Sequence, residues 1–172
     1  MKSKMMLRKT AAIISAAAIM TSCAKDNPAA ISVGDPMPNF TVTLNDGTIV
    51  STPSLCEGKT LVAFFNTGCG DCREELPVLQ QFYDYHRDEV KFVLISREES
   101  EDSIFGYWKI NDMVMPYSAQ KSRAIFNLFA SDTIPRCYCF IEGRVTAIFT
   151  DSPIATLGDL ERNFGLELSE QQ

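Results

Sequence analysis

Cys69 and Cys72 stand one helical turn apart at the junction of two strongly patterned segments, and that junction limits the folds open to the chain. Before it runs Leu61-Val-Ala-Phe-Phe65, a continuous apolar stretch that suits a central strand covered on both faces. After it, from Gly70 to about Tyr85, the residues Leu76, Leu79, Phe82 and Tyr83 recur at helical spacing. Two cysteines three apart at a helix start bring their sulfurs within bonding range. The first then sits where unpaired N–H groups and the helix macrodipole favour negative charge. Its thiolate is the nucleophile, and the deeper second thiol resolves a mixed disulfide. A strand, a C-x-x-C and a helix in succession therefore imply redox chemistry.

The flanking sequence supplies more strands and helices. Phe40–Leu44 alternates, Asn45-Asp46-Gly47 is a turn, and Thr48–Val50 continues, which is a hairpin pattern. A short segment at 52–57 follows. Val90–Ile95 is a second buried strand. Helices are expected from Glu98 to about Ile110, with Ser100 or Asp102 as cap, from Ala119 to Phe129, and from about Ile154 to Phe164. An extended piece at 113–117 and two strands at about 137–141 and 144–149, joined by Glu142-Gly143, complete the set. The expected class is α/β, with a mixed central sheet flanked by helices and an extra N-terminal β-hairpin.

The first 22 residues differ in kind. Lys2, Lys4, Arg8 and Lys9 form a basic head, and the apolar run Ala11–Met20 is shorter than the roughly 20 residues a bilayer span needs. This is a secretory signal pattern. Met20-Thr-Ser-Cys23 resembles the bacterial lipoprotein cleavage box, which makes Cys23 a lipidation candidate, the alternative being ordinary signal cleavage. The expected organisation is a signal peptide at 1–22, a lipidated Cys23 and tether to 36, and a domain at 37–168. Without residues 1–22 the net charge changes from −6 to −10, so no basic patch points to nucleic acid or to polybasic membrane attachment. The remaining membrane expectation is the lipid anchor. Export would place the thiols where disulfides persist.

Residues 33–165 resemble the TlpA/ResA-type thioredoxin-like proteins of bacterial envelopes, within the AhpC/TSA-redoxin superfamily. Cys69-Gly-Asp-Cys72-Arg73-Glu74-Glu75-Leu76-Pro77 matches that group's C-x-x-C-[RK]-x-E-x-P, with Pro77 at the place of the proline that kinks the active-site helix. Ile134-Pro135 matches the cis-proline loop, and Val33–Phe40 matches the approach to the extra hairpin. The resemblance implies a thioredoxin fold and thiol–disulfide exchange by Cys69 and Cys72. It implies a proton-managing Glu75, with a solvated helix-face glutamate as the plainer alternative. It also implies a substrate surface at Gly70, Asp71, Ile134 and Pro135, where an extended peptide adds as a strand. No cofactor beyond the cysteine pair is implied. The partners would be a disulfide-containing envelope protein and an upstream electron donor.

Two departures matter. Gly68 stands where thioredoxin-like proteins usually carry Trp, which opens the rim. Asp71 puts a negative charge beside the thiols and disfavours the thiolate, favouring a net reductant, although Arg73 acts the other way. Cys137 and Cys139 share one strand face and admit three readings: buried small hydrophobes, a redox accessory, or part of a four-thiolate zinc site with Cys69 and Cys72. Cys56 is expected to be buried, His86 to lie on the surface, and Trp108 and the Met113/Met115 pair to serve packing. A peroxiredoxin would need Pro-x-x-x-Thr-x-x-Cys, but Val62 and Asn66 occupy the Pro and Thr places. A binding module with an inert Cys69–Cys72 crosslink is the non-enzymatic alternative.

Overall fold

In the computed structural model the described residues are 30–169, so the signal peptide, Cys23 and the tether up to residue 29 lie outside them. The elements are β1 (Thr41–Thr43), β2 (Ile49–Ser51), α1 (Thr52–Leu55), β3 (Lys59–Phe65), α2 (Gly70–His86), β4 (Val90–Ser96), α3 (Glu101–Ile110), β5 (Tyr117–Ser118), a 3-10 turn (Phe126–Leu128), β6 (Arg136–Ile141), β7 (Arg144–Phe149) and α4 (Leu157–Phe164). The apolar run is the middle of a five-stranded sheet ordered β5-β4-β3-β6-β7. β3 runs parallel to β4 and antiparallel to β6. Every residue from Thr60 to Phe65 is buried, as expected for a strand covered on both sides.

Strand alternation decides what each face meets. Leu61 and Ala63 share their side with Phe92, Leu94, Cys139 and Cys137 through the β-register. The Phe92 ring lies 5.5 Å from that of Phe82, so this is the face that α2 covers. The opposite face carries Phe64, with Phe126, Phe129 and Tyr138 around its ring at 4.9–6.3 Å. Trp108 packs on Phe65 at 5.2 Å and donates its indole N–H to the Met115 carbonyl.

Both sheet edges are covered. Along β7, Pro36 bridges Arg144 and the Gly34 N–H donates to the Val145 carbonyl. Beside β5, the turn of the β1–β2 hairpin exchanges bonds with Tyr117 through the Asn45 N–H and side chain, and the Ser118 hydroxyl donates to the Thr43 carbonyl. The hairpin thus blunts an exposed two-residue edge strand.

Several sequence expectations are corrected. The helix expected over Ala119–Phe129 is only the turn Phe126–Leu128, because Phe126, Phe129 and Ala130 are drawn into the core under Phe64. The extended piece at 113–117 forms β5 only from Tyr117; the N–H groups of Val114 and Met115 donate to the Gln80 side chain instead. α4 begins at Leu157 rather than 154, where Thr156 and Asp159 form a reciprocal capping box. α3 starts after Ser100, whose hydroxyl caps it. Cys56 is half-buried rather than buried. His86 is buried, not on the surface: its Nε2 donates to Glu161 Oε1 at 3.0 Å, and that carboxylate also accepts from the Ser169 N–H. This pair ties the end of α2 to α4.

Candidate functional site

β3 delivers the chain to the site and α2 opens it. Cys69 is the N-cap of α2, in extended backbone conformation, and its own carbonyl accepts the Arg73 N–H. Its N–H donates to the Asn66 carbonyl, closing a tight loop over 66–69. The Cys69 side chain is half-buried, while Cys72, one turn in, has no exposed surface. The two thiols therefore differ in access as the sequence predicts, one reachable and one behind it. The Cys69 thiol points at the Ile134 carbonyl, with Sγ 3.7 Å from the oxygen. Ile134–Pro135 is a cis peptide, and both residues are buried. The two segments matched from sequence, 65 residues apart at Cys69 and Ile134, are thus in contact.

Burial pushes the Cys72 thiol well above its ordinary range, the Cys69 and Glu75 groups add to this, and the Asn66 backbone works against it. Glu75, only 2% exposed, sits on the same helix one turn later. Burial raises its carboxyl to about 7, opposed by the Ala155 backbone. Its Oε1 has no hydrogen-bond partner. The solvated alternative for Glu75 is excluded, whereas its neighbour Glu74 is exposed. Pro77 lies inside α2, as expected.

Cys137 and Cys139 lie on the sheet face beneath α2 with no exposed surface. The Cys139 thiol beside it, together with burial, holds Cys137 far above its ordinary range, and Glu75 adds to the effect. Cys137 is thereby kept as a protonated buried thiol. Among the described residues no group of three or more His, Cys, Asp or Glu side chains is gathered so as to hold a metal. Gly70 and Asp71 are exposed at the helix mouth, and Gly68 leaves the rim open before Cys69.

Three participants escape sequence reasoning. Thr67 is 7% exposed, and both its N–H and its hydroxyl donate to the Glu99 carboxylate from the β4–α3 loop. Its carbonyl accepts from Arg73 Nε at 2.6 Å. Tyr107 of α3 lies under the Arg73 guanidinium, 5.9 Å from ring centre to carbon. No spacing rule links Glu99 to Thr67, 32 residues away. Among the described residues no helix is long and apolar enough to cross a membrane.

Comparison with known proteins places this geometry. Thiol-disulfide oxidoreductase ResA of Bacillus cereus is 22% identical over 109 residues, covering 63% of this chain and 63% of that protein. Sporulation thiol-disulfide oxidoreductase A of Bacillus subtilis is 29% identical over 101 residues, covering 56% of this chain and 61% of that one. The alignments thus span less than two thirds of either relative. A thiol:disulfide interchange protein of the thioredoxin family from Chlorobium tepidum superposes with a TM-score of 0.66 at 23% identity, covering 81% of this chain and all of that one. The fold is accordingly the thioredoxin fold, its mixed sheet preceded by the small hairpin. The AhpC/TSA family model matches residues 33–147, a stretch running from the edge-covering segment through the C-x-x-C helix into β7, and the chain belongs to that family.

Proposed function

We propose that this chain is an exported thiol–disulfide oxidoreductase that reduces protein disulfides through Cys69 and Cys72. The observation that carries the reading is the asymmetry of the pair: a half-buried Cys69 at the mouth of α2, facing the Ile134 carbonyl, with a fully buried Cys72 behind it. The relatives' names, thiol-disulfide oxidoreductases, support the reaction class.

In the reduced state the Cys69 thiolate attacks one sulfur of a substrate disulfide, forming a mixed disulfide and releasing the other substrate sulfur as thiolate. Cys72 gives up its proton, attacks Cys69 Sγ, and expels the second substrate thiolate, leaving the Cys69–Cys72 disulfide. Two electrons pass to the substrate, and an upstream dithiol donor restores the pair. Glu75 is the proton acceptor for Cys72 in this scheme: it is buried on the same helix, and its carboxyl titrates at about 7. Gly70, Asp71, Ile134 and Pro135 form the surface on which an extended substrate segment lies. Asp71, exposed at the mouth, disfavours the charged reduced form and so makes the pair a stronger reductant of its substrate.

The reading includes export by residues 1–22, lipidation at Cys23, and a tether to residue 36 that holds the domain of 37–168 at a bacterial envelope membrane. The partners are a disulfide-containing envelope protein and the electron donor, with no cofactor beyond the cysteines and no nucleic acid. Against a peroxidase stand Val62, buried within β3, and Asn66, whose side chain is engaged with Gly68 and Glu98.

Trapping tests the proposal. A Cys72→Ser variant should accumulate mixed disulfides with envelope proteins that dithiothreitol releases. Absence of any such adduct in folded protein would instead favour an inert crosslink.

A further inference from the structure

The loop that carries the two thiols is held from outside by one carboxylate. The Thr67 N–H donates to Glu99 Oε2 at 2.9 Å and the Thr67 hydroxyl donates to Glu99 Oε1, so both carboxylate oxygens serve a single residue. From the other side, Arg73 Nε donates to the Thr67 carbonyl at 2.6 Å. All three polar groups of a nearly buried residue are thereby fixed, one pair by the loop after β4 and one by the first turn of α2. The adjacent residue is held by the same loop: Asn66 Nδ2 donates to the Glu98 carbonyl at 3.2 Å. Asn66 in turn accepts the Cys69 N–H and presents its backbone to Cys72. Two hydrogen bonds from one residue to one carboxyl group fix that residue's position and orientation together, so this clamp restrains the loop on the side facing the β4–α3 connection.

We infer that Glu99 is a positioning residue for the dithiol, acting through Thr67 to fix the loop over 66–69 and with it the Cys69 N-cap at the mouth of the helix. The inference rests on the exchange chemistry proposed above, and it adds a residue outside the C-x-x-C helix that sets the poise of the pair. Removing the clamp loosens the loop over 66–69, which draws Cys69 away from the N–H groups at the mouth of α2 that favour negative charge on its sulfur, and so makes the dithiol harder to form from the disulfide.

The test is the equilibrium of the Cys69–Cys72 couple with glutathione, read by alkylation and mass spectrometry. For Glu99→Ala the constant should shift toward the disulfide by about tenfold, ~30 mV for a two-electron couple. Thr67→Val, which keeps the N–H bond and loses the hydroxyl, and Glu99→Gln, which keeps one acceptor, should each shift it in the same direction by less. Glu98→Gln and Glu101→Gln, exposed neighbours of the same charge, should leave it unchanged. A wild-type constant in folded Glu99→Ala, or equal shifts in the Glu98 and Glu101 variants, overturns the inference. If Glu99→Ala does not fold, a wild-type constant in both Thr67→Val and Glu99→Gln does so. The glutathione equilibrium exists whether or not Cys72→Ser captures a partner, so failure of the clamp and failure of the oxidoreductase reading are distinguishable.

Discussion

The Cys69 thiol lies 3.7 Å from the Ile134 carbonyl oxygen, with the S–H directed at it. That contact joins the start of α2 to the loop before β6, and it leaves Cys69 the exposed member of a pair whose partner is sealed.

Alkylation should therefore discriminate among the cysteines. In the reduced, folded domain iodoacetamide should modify Cys69 and the half-buried Cys56, while Cys72, Cys137 and Cys139, without exposed surface, react slower by about tenfold or more. Cys69→Ser should remove one of the two accessible sites. Peptide mapping over time checks this, and early labelling of Cys72 in folded protein would contradict it.

Glu75 supplies a pH signature. Its carboxyl is raised from 4.5 to about 7, so the folded state keeps a proton that the unfolded state has released. Its contribution is thus intact below pH 4.5 and is lost as pH rises toward 7, by roughly 3 kcal/mol. Glu75→Gln should flatten that fall and leave the variant more stable than the parent at pH 8, measured by urea unfolding. The same variant should slow release of mixed disulfides, since Cys72 loses its proton acceptor.

His86 and Glu161 give a signal of opposite sign. Burial opposes ionisation of Glu161, but the Ser169 and His86 donors outweigh it and hold the carboxyl below 4.5. The stability this provides is present above pH 4.5 and is lost as pH falls through the lowered value. His86→Ala leaves the 1%-exposed carboxylate with only the Ser169 N–H, and should cost about 2 kcal/mol at neutral pH. Its acid-side loss of stability should be shallower than the parent's.

The β6–β7 turn is intolerant of a side chain. Gly143 has φ +71°, and a Cβ there would lie 2.8 Å from Cys56 Sγ. Gly143→Ala should lower stability by about 1–3 kcal/mol, with melting temperature as the measurement.

What the sequence made legible follows the strength of its periodicity. β3, β4 and α2 are long, apolar and regular, so their type and nearly their bounds are readable, as is the hairpin with its Asn-Asp-Gly turn. The segment 119–129 carries helix-compatible residues, yet burial of Phe126 and Phe129 against Phe64 outweighs local preference. His86 is misread for the same reason: its carboxylate partner is 75 residues away, and only the packing of α4 on α2 brings the two together. At the site, Cys69 and Cys72 are legible from their spacing at a helix start, and Glu75 from the resemblance of the run Cys69–Pro77 to a known motif. Thr67 and Glu99 do not, because their bond crosses between two loops, and loop-to-loop contacts leave no period in a sequence.

The two thiols beneath α2 bear on how the chain matures. Folded, Cys137 and Cys139 are shut between helix and sheet, out of reach of any oxidant. While the chain is still open, they compete on equal terms with the functional pair for every oxidising equivalent. Under the export proposed above, assembly is a race between closure of the sheet over these two thiols and random crosslinking.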